Sequence, residues 1–215
     1  GVELVRVVHE RGKLSEDIIT RAKGGQGGIN MPPFFVETGD GGSAPLRRRC
    51  TSAHKIEVMD RYSKKFANVP RGCKSPLVRT WLGISLDEIT RTRASLEKWR
   101  TLHYPLIEMG WRRGQCMSYL SGQGLSIKRS ACRYCPFHSN REWQSIKSDE
   151  AEWQKVVQFE RDIHEVYEEK GEFGGVARRP YLHRSLQPID EVDFTGGQME
   201  MFNSMDQECS GVCGV

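Results

Sequence analysis

Cys132 and Cys135 stand three residues apart within Ser130-Ala131-Cys132-Arg133-Tyr134-Cys135-Pro136-Phe137-His138. That spacing lets two thiols converge on one metal centre. Pro136 stops a helix from running through Cys135, because its ring removes a backbone donor and restricts the residue before it. A loop presenting two sulfurs follows. Two sulfurs do not complete a site, since tetrahedral zinc and an iron–sulfur cube each take four ligands. Cys50 and Cys116 are the candidates for the remaining positions, with Cys73, Cys209 and Cys213 in reserve. All-thiolate ligation suits a [4Fe–4S] cluster and structural zinc alike. His138 is placed to support the cysteine pair through a hydrogen bond rather than as a ligand. His54 and His103 have no metal-like spacing, and Cys73 sits alone in a loop. The last eight residues, Glu208-Cys209-Ser210-Gly211-Val212-Cys213-Gly214-Val215, place two more thiols on a Gly-containing tail. Such a pair can swing into a site or close a local bridge.

The elements that must position these groups fit within 215 residues, a length that suits one domain with short appendages. A hydrophobic content of 37% is enough for a core. No apolar run approaches the ~20 residues that span a bilayer, and the opening Gly1 to Val8 is too charged for a signal peptide. A cytoplasmic location without membrane association is expected, and there seven cysteines serve as ligands or redox groups rather than disulfides. The net charge of +4 gathers in Arg47-Arg48-Arg49, Arg112-Arg113, Lys128-Arg129 and Arg178-Arg179. These are solvated faces or pockets for phosphate or sulfate, which Arg binds bidentately. An anionic small molecule or a nucleic acid is the expected partner.

Leu4 to Val8 reads as a short buried strand. Ser15 caps a helix through Lys23, with Glu16 and Asp17 in its first turn, and Gly24 to Gly28 ends it as a flexible linker. No Gly-Lys-Ser/Thr follows those glycines, so they do not read as a phosphate cradle. Met31 to Thr38 is extended and apolar, and Gly39 to Pro45 is a turn. Thr51 caps a helix to about Phe66, which puts Arg47 to Cys50 at its N-terminus, where anions and thiolates are favoured. Leu77 to Ile84 is the clearest strand, followed by Ser85-Leu86-Asp87-Glu88 as a capping box. That junction is a usual ligand position in an open α/β sheet. Tyr104 to Glu108 reads as extended, and Trp111 to Gly122 as a helix carrying Cys116. Asn140 caps the next helix. Ser148 or Asp149 opens a long one to about Lys170, with Trp153, Val156, Val157, Ile163, Val166 and Tyr167 as its apolar stripe.

In chain order, Arg49-Cys50-Thr51 with Lys55, Gly83-Ile84-Ser85 with Asp87-Glu88 and Arg91, Tyr104 to Glu108, Ser130 to His138, and Tyr181 to Ser185 resemble the phosphoadenosine phosphosulfate reductase-like proteins. These belong to the adenine nucleotide α-hydrolase superfamily. The resemblance covers about Val5 to the C-terminus and is most specific from Cys50 to Cys135. It implies an α/β fold: a partial Rossmann-like adenine nucleotide α-hydrolase sandwich over residues 1–128, then a Cys-x-x-Cys segment and helical C-terminal part over 129–193, then a mobile tail over 194–215. It implies a [4Fe–4S] cluster, with zinc as the alternative, on Cys50, Cys132 and Cys135, and Cys116 completes the set from the helix before the pair. It places Arg49, Lys55, Ser85, Glu88, Arg91, His183 and Arg184 at a nucleotide or anion site. Cys209 resembles the cysteine of a C-terminal Glu-Cys-Gly tail in the family's reductases, and Cys213 is an added second thiol, so both are candidate catalytic residues served by a thiol redox partner.

The family's pyrophosphate-binding loop, Ser-Gly-Gly-Lys-Asp-Ser, does not occur in the sequence. The chain reads as starting near the third strand of the expected sheet, either as a piece of a longer protein or without ordinary nucleotide activation. Adenine nucleotide is expected only where that loop is supplied. Reduction of an adenylylated sulfate or sulfur transfer is the leading expectation. A non-catalytic zinc- or cluster-stabilised module binding nucleic acid or a protein is the alternative.

Overall fold

Residues 150–170 set out apolar side chains at three- and four-residue intervals, and such a stripe must bury itself against other elements. In the computed structural model, which describes residues 2–125 and 131–195, they form the longest helix. The elements in order are α1 (Leu14–Lys23), β1 (Phe35–Glu37), β2 (Ser43–Pro45), a π-helical turn (Ser52–Ile56), α2 (Glu57–Phe66), β3 (Val78–Trp81), a 3₁₀ turn (Leu86–Arg91), β4 (Arg100–His103), α3 (Pro105–Glu108), α4 (Arg113–Gly122), α5 (Asn140–Lys147) and α6 (Glu150–Lys170). The chain is mixed α/β. Its described residues divide into two compact units: residues 2–58 with 131–195, and residues 59–125, the boundary falling inside α2. The stretch 1–128 expected as one core is thus shared between them.

In the first unit Asp149 caps α6 by accepting from the Glu152 amide at 3.1 Å, and Gly171 ends it in the left-handed region at φ 70°. Trp153, Val156, Val157, Phe159, Ile163 and Val166 are buried. They pack with Ile18 and Ala22 of α1, Trp143 of α5, Phe34, Leu182 and Ile189 in one core. Each such side chain contributes about 1.5–3 kcal/mol relative to exposure. The Met31 to Val36 run enters this core, and β1 pairs antiparallel with β2, Val36 opposite Ala44. The expected turn over 39–45 is therefore a hairpin whose second strand is Ser43–Pro45. Phe35 also exchanges two backbone hydrogen bonds with Tyr181, at 2.9 and 2.8 Å, which ties the segment after residue 180 to β1.

In the second unit β3 and β4 pair in parallel, Val78 opposite Arg100 and Trp81 opposite His103. The four strands make two separate two-stranded sheets, and no Rossmann-like sandwich occurs among the described residues. Several local expectations change as well. Leu4 to Val8 is not a strand. Leu4 is 98% and Val8 69% exposed, because no neighbouring strand takes up their backbone groups. Tyr104 to Glu108 is not extended, since Pro105 starts a short helix at the position where a missing N–H costs nothing. Ser139, rather than Asn140, caps α5 in a reciprocal box with Glu142.

Candidate thiol site

The Cys-x-x-Cys segment folds as two successive turns in the first unit. The Cys135 amide donates to the Cys132 carbonyl at 2.9 Å, and the His138 amide to the Cys135 carbonyl at 3.2 Å. Both thiols are half-buried, and Pro136 is buried beneath them. The His138 ring closes the loop from inside, its Nε2 lying 2.9 Å from the Cys132 carbonyl, an arrangement that requires the Nε2–H tautomer. The same ring stands edge-on to the fully buried Trp143 at 4.8 Å. Tyr134 meets Phe159 of α6 at 4.5 Å, and Arg133 pairs with Glu152. The loop is thus anchored to α5 and α6 on both sides of the thiols.

Cys50 lies in the same unit. Thr51 has helical angles, φ −66° and ψ −43°, and its side chain makes no cap, so the helix already includes Cys50 and continues through the π turn. Arg48, two residues before Cys50, lies 4.6 Å over the ring of Phe137, two residues after Cys135. Phe137 in turn contacts Phe35 at 6.3 Å. This cation–π contact joins the segment leading into Cys50 to the Cys-x-x-Cys loop. Cys116 is half-buried on α4 in the second unit. Among the described residues, no group of three or more His, Cys, Asp or Glu stands in an arrangement that could hold a metal ion. Two thiols at the loop suit a thiophilic metal by donor chemistry, but the expected four-cysteine centre is not assembled.

Other expected site residues do not gather at the thiols. Arg49 and Lys55 are exposed in the first unit. Ser85, in the second unit, is buried without forming the expected capping box, because the Glu88 carboxylate is drawn to Arg91. Burial of that pair leaves both side chains under 15% exposed (14% and 12%) and sets Arg91 against a carboxylate rather than an open anion site. Asp87 accepts from the Arg113 amide at 2.6 Å and from Arg112 at 3.0 Å, and these bonds hold its carboxyl below the usual range.

His183 is buried, with its ring nitrogens 2.8 Å from Ser185 Oγ and 3.2 Å from Asn140 Oδ1. Burial, and then Arg184 beside it, push its pKa down to about 4, so it is neutral at neutral pH and serves no anion as a cation. Arg184 is half-buried. Cys209 and Cys213 lie outside the described residues.

Sequence reasoning missed two buried polar centres. Asp17 receives Arg11 Nε at 2.9 Å on one oxygen and faces His54 Nε2 at 3.2 Å with the other, while His9 lies 4.7 Å from His54 ring to ring. Burial, then the charge of His9, lowers the pKa of His54 against the opposing pull of Asp17. Asp17 reads in sequence only as an acidic first-turn residue. Glu160 interrupts the apolar stripe of α6, a signal legible in the sequence, and it is 2% exposed. It accepts from the Leu182 amide at 2.7 Å and from the Ile189 amide. No match was found among protein-family models, curated proteins or solved structures.

Proposed function

We propose that the chain is a sulfur-handling protein of the phosphoadenosine phosphosulfate reductase-like kind, with a thiolate-held metal at Cys132 and Cys135. The observation that carries the reading is the backbone-clamped Cys-x-x-Cys loop with two half-buried thiols, joined through Phe137 and Arg48 to the chain leading into Cys50. In this reading Cys50 of the same unit joins the loop thiols, and the choice of iron over zinc rests on the resemblance. When bound, a cluster supplies electron storage or a site for sulfur, and zinc supplies structure alone. The chain's own part is to hold two thiols at a fixed turn, with His138 on the Cys132 carbonyl and Trp143 excluding water behind it.

Cys209 and Cys213 supply the redox chemistry in this proposal. A Cys209 thiolate attacks the sulfur of an adenylylated sulfate, the sulfur–oxygen bond to phosphate breaks, and the nucleotide phosphate leaves. Cys213 then attacks the mixed species, sulfite departs, and the two thiols end as one disulfide, which a dithiol redox partner reduces. Nucleotide binding in this scheme requires the pyrophosphate loop in addition to these residues.

Metal analysis of anaerobically purified protein tests the centre. Brown protein with about four irons per chain is expected, and Cys132→Ser and Cys135→Ser each abolish retention. Colourless protein with stoichiometric zinc on the same cysteines rejects the cluster and keeps the site. Wild-type protein that takes up neither metal on reconstitution overturns both. Separately, reductase turnover unchanged by Cys209→Ser, measured with the pyrophosphate loop supplied, removes the tail from the mechanism.

A further inference from the structure

The two units carry opposite charge. Among the described residues, 59–125 hold twelve Lys and Arg against five Asp and Glu, a net charge of +7, whereas the others hold 18 against 20, a net of −2. Four of the five carboxylates of the second unit pair with Lys or Arg: Asp60 with Arg100, Asp87 with Arg112, Glu88 with Arg91 and Glu97 with Lys64. The fifth, Glu108, lies 3.7 Å from His103, which is a cation only when protonated. Lys65, Arg71, Lys74, Arg79 and Lys98 form no ion pair among the described residues.

Three of these cations line a cavity of about 530 Å³, together with Lys64, Glu97 and Trp99. The loop after α2 shapes it. The Val69 amide closes the helix on the Lys64 carbonyl at 2.9 Å, and the Cys73 amide turns back to the Pro70 carbonyl at 3.1 Å, with Gly72 at φ 75°. On the other side lies Trp99, the residue before β4, whose carbonyl accepts from the Leu77 amide at 2.7 Å. Trp99 is 4% exposed and forms the floor, its Nε1 donating to Glu97 at 2.7 Å. Glu97 is thereby tied down, and Lys64 stands 3.5 Å from it. The lining groups carry four positive charges and one negative.

We propose that the second unit binds the phosphate backbone of a single-stranded nucleic acid, with one phosphate seated among Arg71, Lys74 and Lys98. Arg71 offers a planar fork matched to phosphate oxygens, and the two lysines add mobile point charges. A lone small anion would satisfy the cavity, but Lys65, next in the chain to Lys64, and Arg79 on β3 are exposed cations outside its lining. A strand carries a charge at every nucleotide and so can meet more cations than the cavity holds. Phe66 and Trp81, 72% and 69% exposed in the same unit, are ring surfaces of the kind on which unpaired bases stack. The inference does not depend on a metal at the cysteines, so it can fail or stand apart from that reading.

The test is fluorescence anisotropy of a labelled 20-nucleotide single strand titrated with the full chain from 50 to 300 mM salt. Saturable binding that weakens with salt is expected. The triple variant Arg71→Ala, Lys74→Ala, Lys98→Ala should bind at least about tenfold more weakly and lower the log–log salt slope by about 0.7, the value for one phosphate contact on a single strand. Removal of three exposed cations from the first unit, by Arg6→Ala, Arg141→Ala and Lys155→Ala, should change affinity less than twofold. These side chains are exposed, and an unchanged far-ultraviolet spectrum and melting curve confirm that each variant folds. Absence of strand binding at 50 mM salt, wild-type binding by the cavity variant, or one-to-one pyrophosphate binding without strand binding each overturns the proposal. Duplex bound tenfold more tightly than the single strand overturns its single-stranded form.

Discussion

Replacing Glu160 with Gln should cost about 2–3 kcal/mol more stability at pH 5 than at pH 8. Glu160 is buried on α6 between the Leu182 and Ile189 amides, and burial raises its pKa from 4.5 to about 7 against the opposing effect of those amides. The folded state therefore binds this proton more tightly than the unfolded state. The contribution is fully present below pH 4.5 and is lost as pH rises through 7. Gln cannot titrate, and its amide nitrogen faces one backbone N–H that the carboxyl oxygen accepted.

His183 and His164 act in the opposite sense. Burial lowers both, so their stabilisation is present above 6.5 and is lost as pH falls, for His183 through about 4. The whole protein's acid profile mixes these with other shifted groups such as His54 and Asp87, and only the difference between wild type and Glu160→Gln isolates the carboxyl. Urea unfolding followed by tryptophan fluorescence at both pH values measures it. A difference that stays flat with pH would show that Glu160 is ionised in the native state throughout.

The same residues show what the chain discloses before it folds. The stripe from Trp153 to Val166 and its Asp149 cap are legible because helical period and capping chemistry are local. So are the helix carrying Cys116 and the strand within Leu77 to Ile84. The Cys132/Cys135 turn is legible because Pro136 fixes where helix cannot go. The misreadings have two origins, partners remote in sequence and local competition for one side chain. Leu4 to Val8 has strand composition but no neighbour to pair with. The box at Ser85 fails because Arg91 competes for Glu88. The β3–β4 pairing, 22 positions apart at Val78 and Arg100, carries no turn signal. The Glu160 anchor is half visible: a carboxylate within an apolar stripe signals burial, but its two amide donors lie 22 and 29 residues on. The basic clusters were legible as charge. Which of them are neutralised was not, because ion pairing depends on which carboxylates the fold brings near.

Trp143→Ala should destabilise the first unit by about 3–5 kcal/mol and expose the two loop thiols. Trp143 is fully buried on α5, edge-on to His138 at 4.8 Å and stacked near Phe194 at 6.4 Å. Truncation leaves a cavity behind the ring whose Nε2 meets the Cys132 carbonyl, so His138 loses the wall that orients it. The turn then opens more often, and reaction of Cys132 and Cys135 with an aromatic disulfide reagent should accelerate at least about tenfold, since access governs that exchange. Changing Cys50, Cys73, Cys116, Cys209 and Cys213 to Ser in the background confines the signal to Cys132 and Cys135. Trp143→Phe should be far milder, at about 1–2 kcal/mol. It keeps an aromatic ring against His138 and removes an indole N–H that is buried without a hydrogen-bond partner among the described residues, a group that costs free energy where it stands. Equal losses for Ala and Phe would remove ring packing as the cause, and thiol reactivity unchanged by Trp143→Ala would detach α5 from the geometry of the loop.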